Sequence, residues 1–324
     1  MTRLVSCIFL MCFLVFSTGT FAGSMQWEKT FGGRNNDGAF SVQPVGDGYL
    51  VIGYTDCFEY GGRDVWVIKL DKSGNQIWNR VFSGPEWDKV ASIKRIKDGY
   101  IAVGRSGPPF KGDAWVVKMD KNANRVWKKL FGGNNDDGAY SAQPTKDGFL
   151  IAGYTNSYGK GGYDAWIIKL NKDGNRVWSK VFGGKSNERA FSVQQTRDKG
   201  YIVVGRKGLL FKGDAWVVKM DRERNIVWER TFGGSGDDVA TAVCEMPSGE
   251  FIVVGWTYSF GHGKSDMWIM KLDREGNTIW SDTFGGRGND WANSVEKTDD
   301  GGYIVGGVTY SSGKGNSDAW VKKF

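Results

Sequence analysis

Two series of tryptophans run through the chain with a single period. The first is Trp66, Trp115, Trp166, Trp216, Trp268 and Trp320; the second is Trp27, Trp78, Trp127, Trp178, Trp228 and Trp280. Neighbours within a series are 49–52 residues apart, and the two series take up twelve of the fifteen tryptophans. A large apolar side chain returning at this interval marks one supersecondary unit per period, each burying its rings against the next. Trp87, Trp256 and Trp291 stand outside the series.

One unit reads GAYSAQPTKDGFLIAGYTNSYGKGGYDAWIIKLNKDGNRVWSKVFGG. It holds four β-rich runs: AYSAQPT, GFLIAGYT, DAWIIKLN and NRVWSKVF. The links between them, such as KDG and NKDGN, are rich in residues that tolerate left-handed backbone and favour tight hairpins. No stretch sustains a helical period. The expected fold is all-β: a six-bladed β-propeller with four-stranded blades. The last unit stops at Phe324 after its third strand, and MQWEKTFGG reads as an isolated fourth strand near the start. Pairing the two would let the N-terminal strand complete the last blade and close the ring without a free edge.

A longer period lies over the short one. FKGDAWVVKMD occurs at Phe110–Asp120 and again at Phe211–Asp221, 101 residues later. Blades one and three share GYT, whereas blades five and six share a TYS loop. The duplicated element is therefore a pair of blades, and the repeated phrase is a third strand carried along with it.

The first residues have the layout of a secretory signal: Arg3, an apolar run from Leu4 to Phe16, and small residues before Ala22. Residues 1–22 are expected to be a signal peptide, and residues 23–324 a single propeller domain. No later segment is apolar enough to span a bilayer. The expected location is secreted or periplasmic. Cys57 and Cys244 are too few for a disulfide framework, so stability must come from the core. The net charge of +7 is spread along the chain without a Lys/Arg block, which argues against a nucleic-acid partner.

KLDKSGNQIW (Lys69 to Trp78) resembles the repeats of quinoprotein-type (PQQ-like) propellers. In those, a D-x-x-x-G-x-x-x-W hairpin leads to a tryptophan that docks on the neighbouring blade. Asp71, Gly74 and Trp78 match in kind, as do Asp273, Gly276 and Trp280, with the glycine one residue nearer the aspartate. Blades two and four depart, with Ala123 and Arg224 in place of the glycine. The strand order and expected closure resemble WD-repeat propellers, without their Trp-Asp and Gly-His signatures. The whole chain also resembles secreted bacterial and archaeal proteins built of FGG…DGGYIVVG…DAWVIKLD…GN…W repeats. The resemblance implies a fold and little about activity.

Residues able to do chemistry are scarce. His262 is the single histidine. It lies in SFGHGKSD without a nucleophile at a fixed spacing, so triad chemistry and histidine zinc sites find no support. After each FGG turn an acid recurs: Asp37, Asp88, Asp137, Glu188, Asp238 and Asp290. Six carboxylates around one mouth can be turn caps, a hard-cation site such as Ca²⁺, or a carboxylate pair for glycoside hydrolysis. Asp64, Asp113, Asp164, Asp214, Asp266 and Asp318 before the third strand read as hairpin supports. No cofactor is expected.

Broken symmetry points to a site. At the end of the second strand stand Tyr54, Arg105, Tyr154, Arg206, Trp256 and Val308. The loops that follow carry Phe58, Tyr60, Phe110, Tyr158, Phe211, Tyr258 and Phe260, and Trp87 and Trp291 lie in the turns on the same face. Arginine and aromatic rings together suit sugars or anionic groups, by stacking and paired hydrogen bonds. The alternative is packing against neighbouring loops.

Three function classes are open. The first is a secreted, non-enzymatic, monomeric module that binds a carbohydrate, cell-wall or protein ligand on its loop face, marked by exposed aromatics gathered there. The second is a scaffold or assembly subunit of a surface complex, marked by a flat apolar patch. The third is a glycan-active or quinone-dependent enzyme, marked by acids with shifted pKa in a cleft.

Overall fold

The computed structural model describes residues 37–45, 47–55, 64–82, 89–209, 211–297, 302–312 and 318–324. The expected signal peptide, the expected closing strand, Trp87, Asp88, Phe58, Tyr60 and Cys57 lie outside these residues.

The described residues form 23 strands in six antiparallel sheets. Sheet 1 is β1 (Asp37–Val45), β2 (Gly48–Thr55), β3 (Asp64–Asp71) and β4 (Gln76–Phe82). Sheet 2 is β5 (Lys89–Ile96), β6 (Gly99–Ser106), β7 (Asp113–Met119) and β8 (Arg125–Phe131). Sheet 3 is β9 (Asp137–Thr145), β10 (Gly148–Thr155), β11 (Asp164–Asn171) and β12 (Arg176–Phe182). Sheet 4 is β13 (Asn187–Gln195), β14 (Tyr201–Leu209), β15 (Lys212–Met220) and β16 (Ile226–Phe232). Sheet 5 is β17 (Asp238–Glu245), β18 (Phe251–Thr257), β19 (Asp266–Leu272) and β20 (Thr278–Phe284). Sheet 6 holds β21 (Asp290–Lys297), β22 (Tyr303–Thr309) and β23 (Asp318–Lys323). In every sheet the strands pair in chain order.

Each sheet packs face to face with the next in sequence through its own apolar cluster, from sheet 1 to sheet 6. The period-2 alternation of a strand places its two faces in two different clusters. Trp216 and Val218 of β15 pack with Leu150 and Ile167 of sheet 3. Ala215 and Val217 pack with Phe251 and Trp268 of sheet 5. DAWVVKM is therefore apolar on both faces, and burying each large side chain contributes about 1.5–3 kcal/mol. The fourth strands are the more exposed ones, as in β12 and β16.

The second tryptophan series joins sheets. Trp127 of β8 donates Nε1–H to the Lys172 carbonyl at 3.3 Å, and Trp228 of β16 donates to the Arg274 carbonyl at 2.8 Å. Each ring sits on the hairpin of the next sheet. In that hairpin the aspartate Asp273 accepts from the Asn277 backbone N–H at 2.7 Å, and Gly276 takes φ 80°. Ala123 and Arg224 adopt the same left-handed conformation, at φ 60° and 71°. The Arg224 guanidinium lies 5.1 Å over the Trp178 ring. On the hairpin side of the third strands, Lys69, Lys169 and Lys219 extend buried stems to Asp47, Asp147 and Asp198, at 2.5, 2.6 and 2.7 Å.

The first strands of sheets 2 to 6 converge on a channel of about 480 Å³. This architecture is of the β-propeller type. No helix among the described residues is long and apolar enough to cross a membrane.

Candidate binding site at the channel mouth

Each first strand carries a one-residue bulge just inside the mouth. The pairing skips Phe40, Ala91, Tyr140, Phe191, Thr241 and Asn293. A bulge leaves its extra residue unpaired and re-aims it; Ala91, Tyr140, Phe191, Thr241 and Asn293 all line the channel. The facing second strand needs glycine here. A Cβ on Gly205 would lie 1.8 Å from the Arg189 carbonyl oxygen.

One step nearer the mouth, the symmetry breaks in cross-strand pairs. They are Gly38 with Tyr54, Lys89 with Arg105, Gly138 with Tyr154, Arg189 with Arg206, Val239 with Trp256, and Trp291 with Val308. In sheets 3, 5 and 6, a large ring faces a small partner. A Cβ on Gly138 would meet the Tyr154 ring at 2.6 Å. In most pairs only one member stands out along the chain. The column directly after the acid, with Lys89, Gly138, Arg189 and Val239, carries the complementary signal.

Arg105 and Tyr154 meet at one cavity of about 520 Å³. Its centre is Asp136. Asp136 accepts from Arg105 Nε at 2.6 Å, Gly112 N–H at 3.3 Å, Tyr154 Oη at 3.2 Å and Tyr163 Oη at 3.3 Å. Arg105 also donates to the Gly107 carbonyl at 2.8 Å and to the Pro108 carbonyl. Lys89, Phe110 and Tyr140 also line it. Tyr140 lies 5.3 Å from Tyr154 and 4.7 Å from Phe191, centroid to centroid. Burial raises the Tyr140, Tyr154 and Tyr163 phenols above their ordinary value, with the Asp136 charge adding to the rise. They remain neutral donors at physiological pH.

Arg206 does not join this cavity. It donates Nε–H to Asp237 at 2.7 Å and also reaches the Leu209 carbonyl. Trp256 and Trp291 lie farther round the mouth. Trp256 packs edge-on to Tyr258 at 5.6 Å, and Trp291 to Tyr310 at 5.5 Å. Trp291 Nε1 donates to Ser265 Oγ at 2.9 Å.

The acids after the FGG turns are engaged locally. Asp137 accepts from Gly133 N–H at 2.9 Å and Ser157 Oγ at 2.6 Å, and Asp238 from Gly234 N–H at 3.0 Å and Ser259 Oγ at 2.6 Å. Asp290 accepts from Gly286 N–H at 3.0 Å, and Glu188 from Gly184 N–H at 3.0 Å. Each carboxylate closes its own turn, and three also hold the serine of the next loop. Burial pushes Glu188 up. Burial also pushes on Asp290, but hydrogen bonds from Ser311 and Thr309 outweigh it and hold that carboxyl below its ordinary value. Among the described residues no group of three His, Cys, Asp or Glu side chains is placed to hold a metal ion. His262 is exposed, and its backbone N–H donates to Asp266 at 2.8 Å.

Fold and mouth together define a propeller-type repeat protein with an asymmetric, aromatic and basic loop face. No protein-family model matches the sequence, and no curated protein matches it. Among solved structures the chain is similar in fold to Sqt1 of Chaetomium thermophilum, at 16% identity, TM-score 0.40, over 68% of this chain and 57% of that one. The alignment thus spans little more than half of Sqt1. The chain is also similar to the AfRom2 CNH domain, at 7% identity, TM-score 0.46, over 88% and 80% of the two chains. A third likeness is to the parainfluenza virus 5 hemagglutinin-neuraminidase ectodomain, at 10% identity, TM-score 0.45, over 84% and 78%.

Proposed function

We propose that this protein is a non-enzymatic binding module that grips a glycan of an extracellular or periplasmic surface on its loop face. One observation carries the reading. Every strongly exposed aromatic side chain among the described residues, namely Phe110, Tyr158, Phe211, Tyr258, Phe260 and Tyr310, lies between a second and a third strand. All six therefore stand on one face, around the mouth. Exposed rings gathered beside a polar cavity suit stacking on sugars, whereas singly scattered apolar side chains need no explanation.

In this reading residues 1–22 are removed on export, and residues 25–33 supply the fourth strand of sheet 6. That closes a six-bladed ring, and the molecule acts as a monomer. The edge left beside β23 supports the closure, because sheet 6 alone has three described strands. The mouth acids act as caps in this reading, and Ca²⁺ is not required. The test is calorimetric titration of the processed protein with a panel of soluble polysaccharides. Phe110→Ala and Phe211→Ala are expected to weaken binding without lowering the unfolding temperature. A protein that binds no polysaccharide, yet assembles with other envelope proteins through this face, is the scaffold instead.

A further inference from the structure

The cavity beside Asp136 has more cation than its carboxylate can satisfy. Asp136 is its one carboxylate among the described lining residues, and four donors already occupy it. Those donors include Arg105, so this pair is balanced. Lys89, exposed on the cavity wall, has no counterpart in that set. Behind the wall, the Arg189 guanidinium lies 4.5 Å over the Tyr163 ring and 5.4 Å over the Tyr154 ring. Its Nε is buried without a hydrogen-bond partner. Arg189 does not line the cavity itself; from behind, its charge adds to the positive potential at the tyrosine wall.

From this we infer that the cavity takes an anionic saccharide, with a carboxylate or phosphate beside Lys89 and its ring against the tyrosines. The inference rests on the glycan-binding reading and narrows it. The volume of about 520 Å³ suits one or two sugar residues. Stacking supplies area, and the surplus positive charge supplies selection. A neutral sugar would desolvate Lys89 and return no opposite charge. The site depends on Gly138: the equivalent positions hold Lys89 and Arg189 in the flanking sheets, and only glycine leaves room for the Tyr154 ring.

The experiment compares polygalacturonate, the same polymer with its carboxyls methyl-esterified, and a glycerol phosphate polymer, each titrated into the processed protein. The acidic polymers are expected to bind about tenfold or more tighter than the ester. Their affinity should fall between about 50 and about 500 mM salt, and the ester's should not. Whichever of carboxylate and phosphate binds tighter identifies the source of the anion. Lys89→Glu, on an exposed side chain outside the Asp136 cluster, should cost the acidic polymers about tenfold more than it costs the ester. Arg189→Gln should act in the same direction, and its unfolding curve reports whether it folds. Equal binding of acid and ester, or full acid binding by folded Lys89→Glu, overturns the anion inference and leaves the glycan reading standing. No binding of any of the three polymers, acidic or neutral, overturns both.

Discussion

Arg105 Nε lies 2.6 Å from the Asp136 carboxylate, and this contact ties sheet 2 to sheet 3. The same contact recurs 101 residues later between Arg206 and Asp237, tying sheet 4 to sheet 5. The intervening interfaces use asparagine. Asn187 accepts from the Tyr163 backbone N–H at 3.0 Å, and Asn289 from Ser265 Oγ at 3.1 Å. The two-blade period is thus an alternation of ionic and neutral latches. It also explains the glycine of FKGD, because a Cβ on Gly213 would lie 2.6 Å from the Arg206 guanidinium carbon.

Breaking an ionic latch should be costly, because both partners are largely shielded. The Arg206 and Asp237 side chains are 7% and 15% exposed. Arg206→Ala is expected to lower stability by about 3 kcal/mol, by leaving Asp237 without its counter-charge. Arg206→Lys should not restore it, since an ammonium cannot reach both the carboxylate and the loop carbonyl. Urea unfolding measures both, and a loss well under about 1 kcal/mol for the alanine variant would show that the latch is dispensable.

Two exposed loop tips carry backbone strain. Phe110 and Phe211 take φ 65° and 62°, yet are 79% and 76% exposed. Left-handed backbone costs about 1–2 kcal/mol for a side chain with a Cβ, and the extra chain entropy of glycine about 0.5–1 kcal/mol. Phe110→Gly should therefore raise stability slightly while weakening glycan binding. Thermal unfolding and titration of the same variant read the two effects, and a variant that binds normally would remove Phe110 from the binding face.

Gly276 has the reverse problem. It sits at φ 80° under the Trp228 ring, and a Cβ there would approach a ring carbon to 2.8 Å. Gly276→Ala should cost about 1–2 kcal/mol of backbone strain, together with displacement of Trp228. Near-neutral stability in chemical unfolding would mean that the hairpin relaxes away from the tryptophan.

Stability should respond to pH with opposite signs at two aspartates. The Lys169 hydrogen bond holds Asp147 below its ordinary 3.8, against a smaller upward push from burial. Its contribution is present above that value and is lost as pH falls through the lower folded value. Burial raises Asp164 above 3.8, partly offset by the Lys160 backbone N–H. Its contribution is present below 3.8 and is lost as pH rises through the folded value. Asp147→Asn should flatten the loss of stability on acidification below about pH 4. Asp164→Asn should steepen it, and unfolding free energies measured between about pH 2 and 6 separate the two.

Much of this architecture could be read along the chain. DAWIIKLN and GFLIAGYT are apolar at both parities, and β10 and β11 are buried on both faces. The tight links mark the hairpins, and the tryptophan series marks the sheet interfaces. The mouth was legible only in part. Arg105 and Tyr154 stood out as broken symmetry, yet their joint partner Asp136 lies in the turn before β9 and looks like any turn acid. Lys89 and Arg189 break a column whose meaning shows only beside the strand opposite, and the bulged Tyr140 gave no separate signal.

Alternation, turn chemistry and period are local properties, and by themselves they determined an all-β repeat of four-stranded sheets with tryptophan-lined interfaces. Tertiary structure decided which residues the mouth displays. A one-residue bulge turns Tyr140 and Phe191 into the channel, and a shift of one residue reverses the face a side chain occupies. It also decided that Arg105 and Arg206 latch sheets, while Lys89 stands exposed on the cavity wall and Arg189 lies against the tyrosines behind it. Those roles depend on which carboxylate the neighbouring sheet brings within reach, a distance set by packing across an interface and not by spacing along the chain.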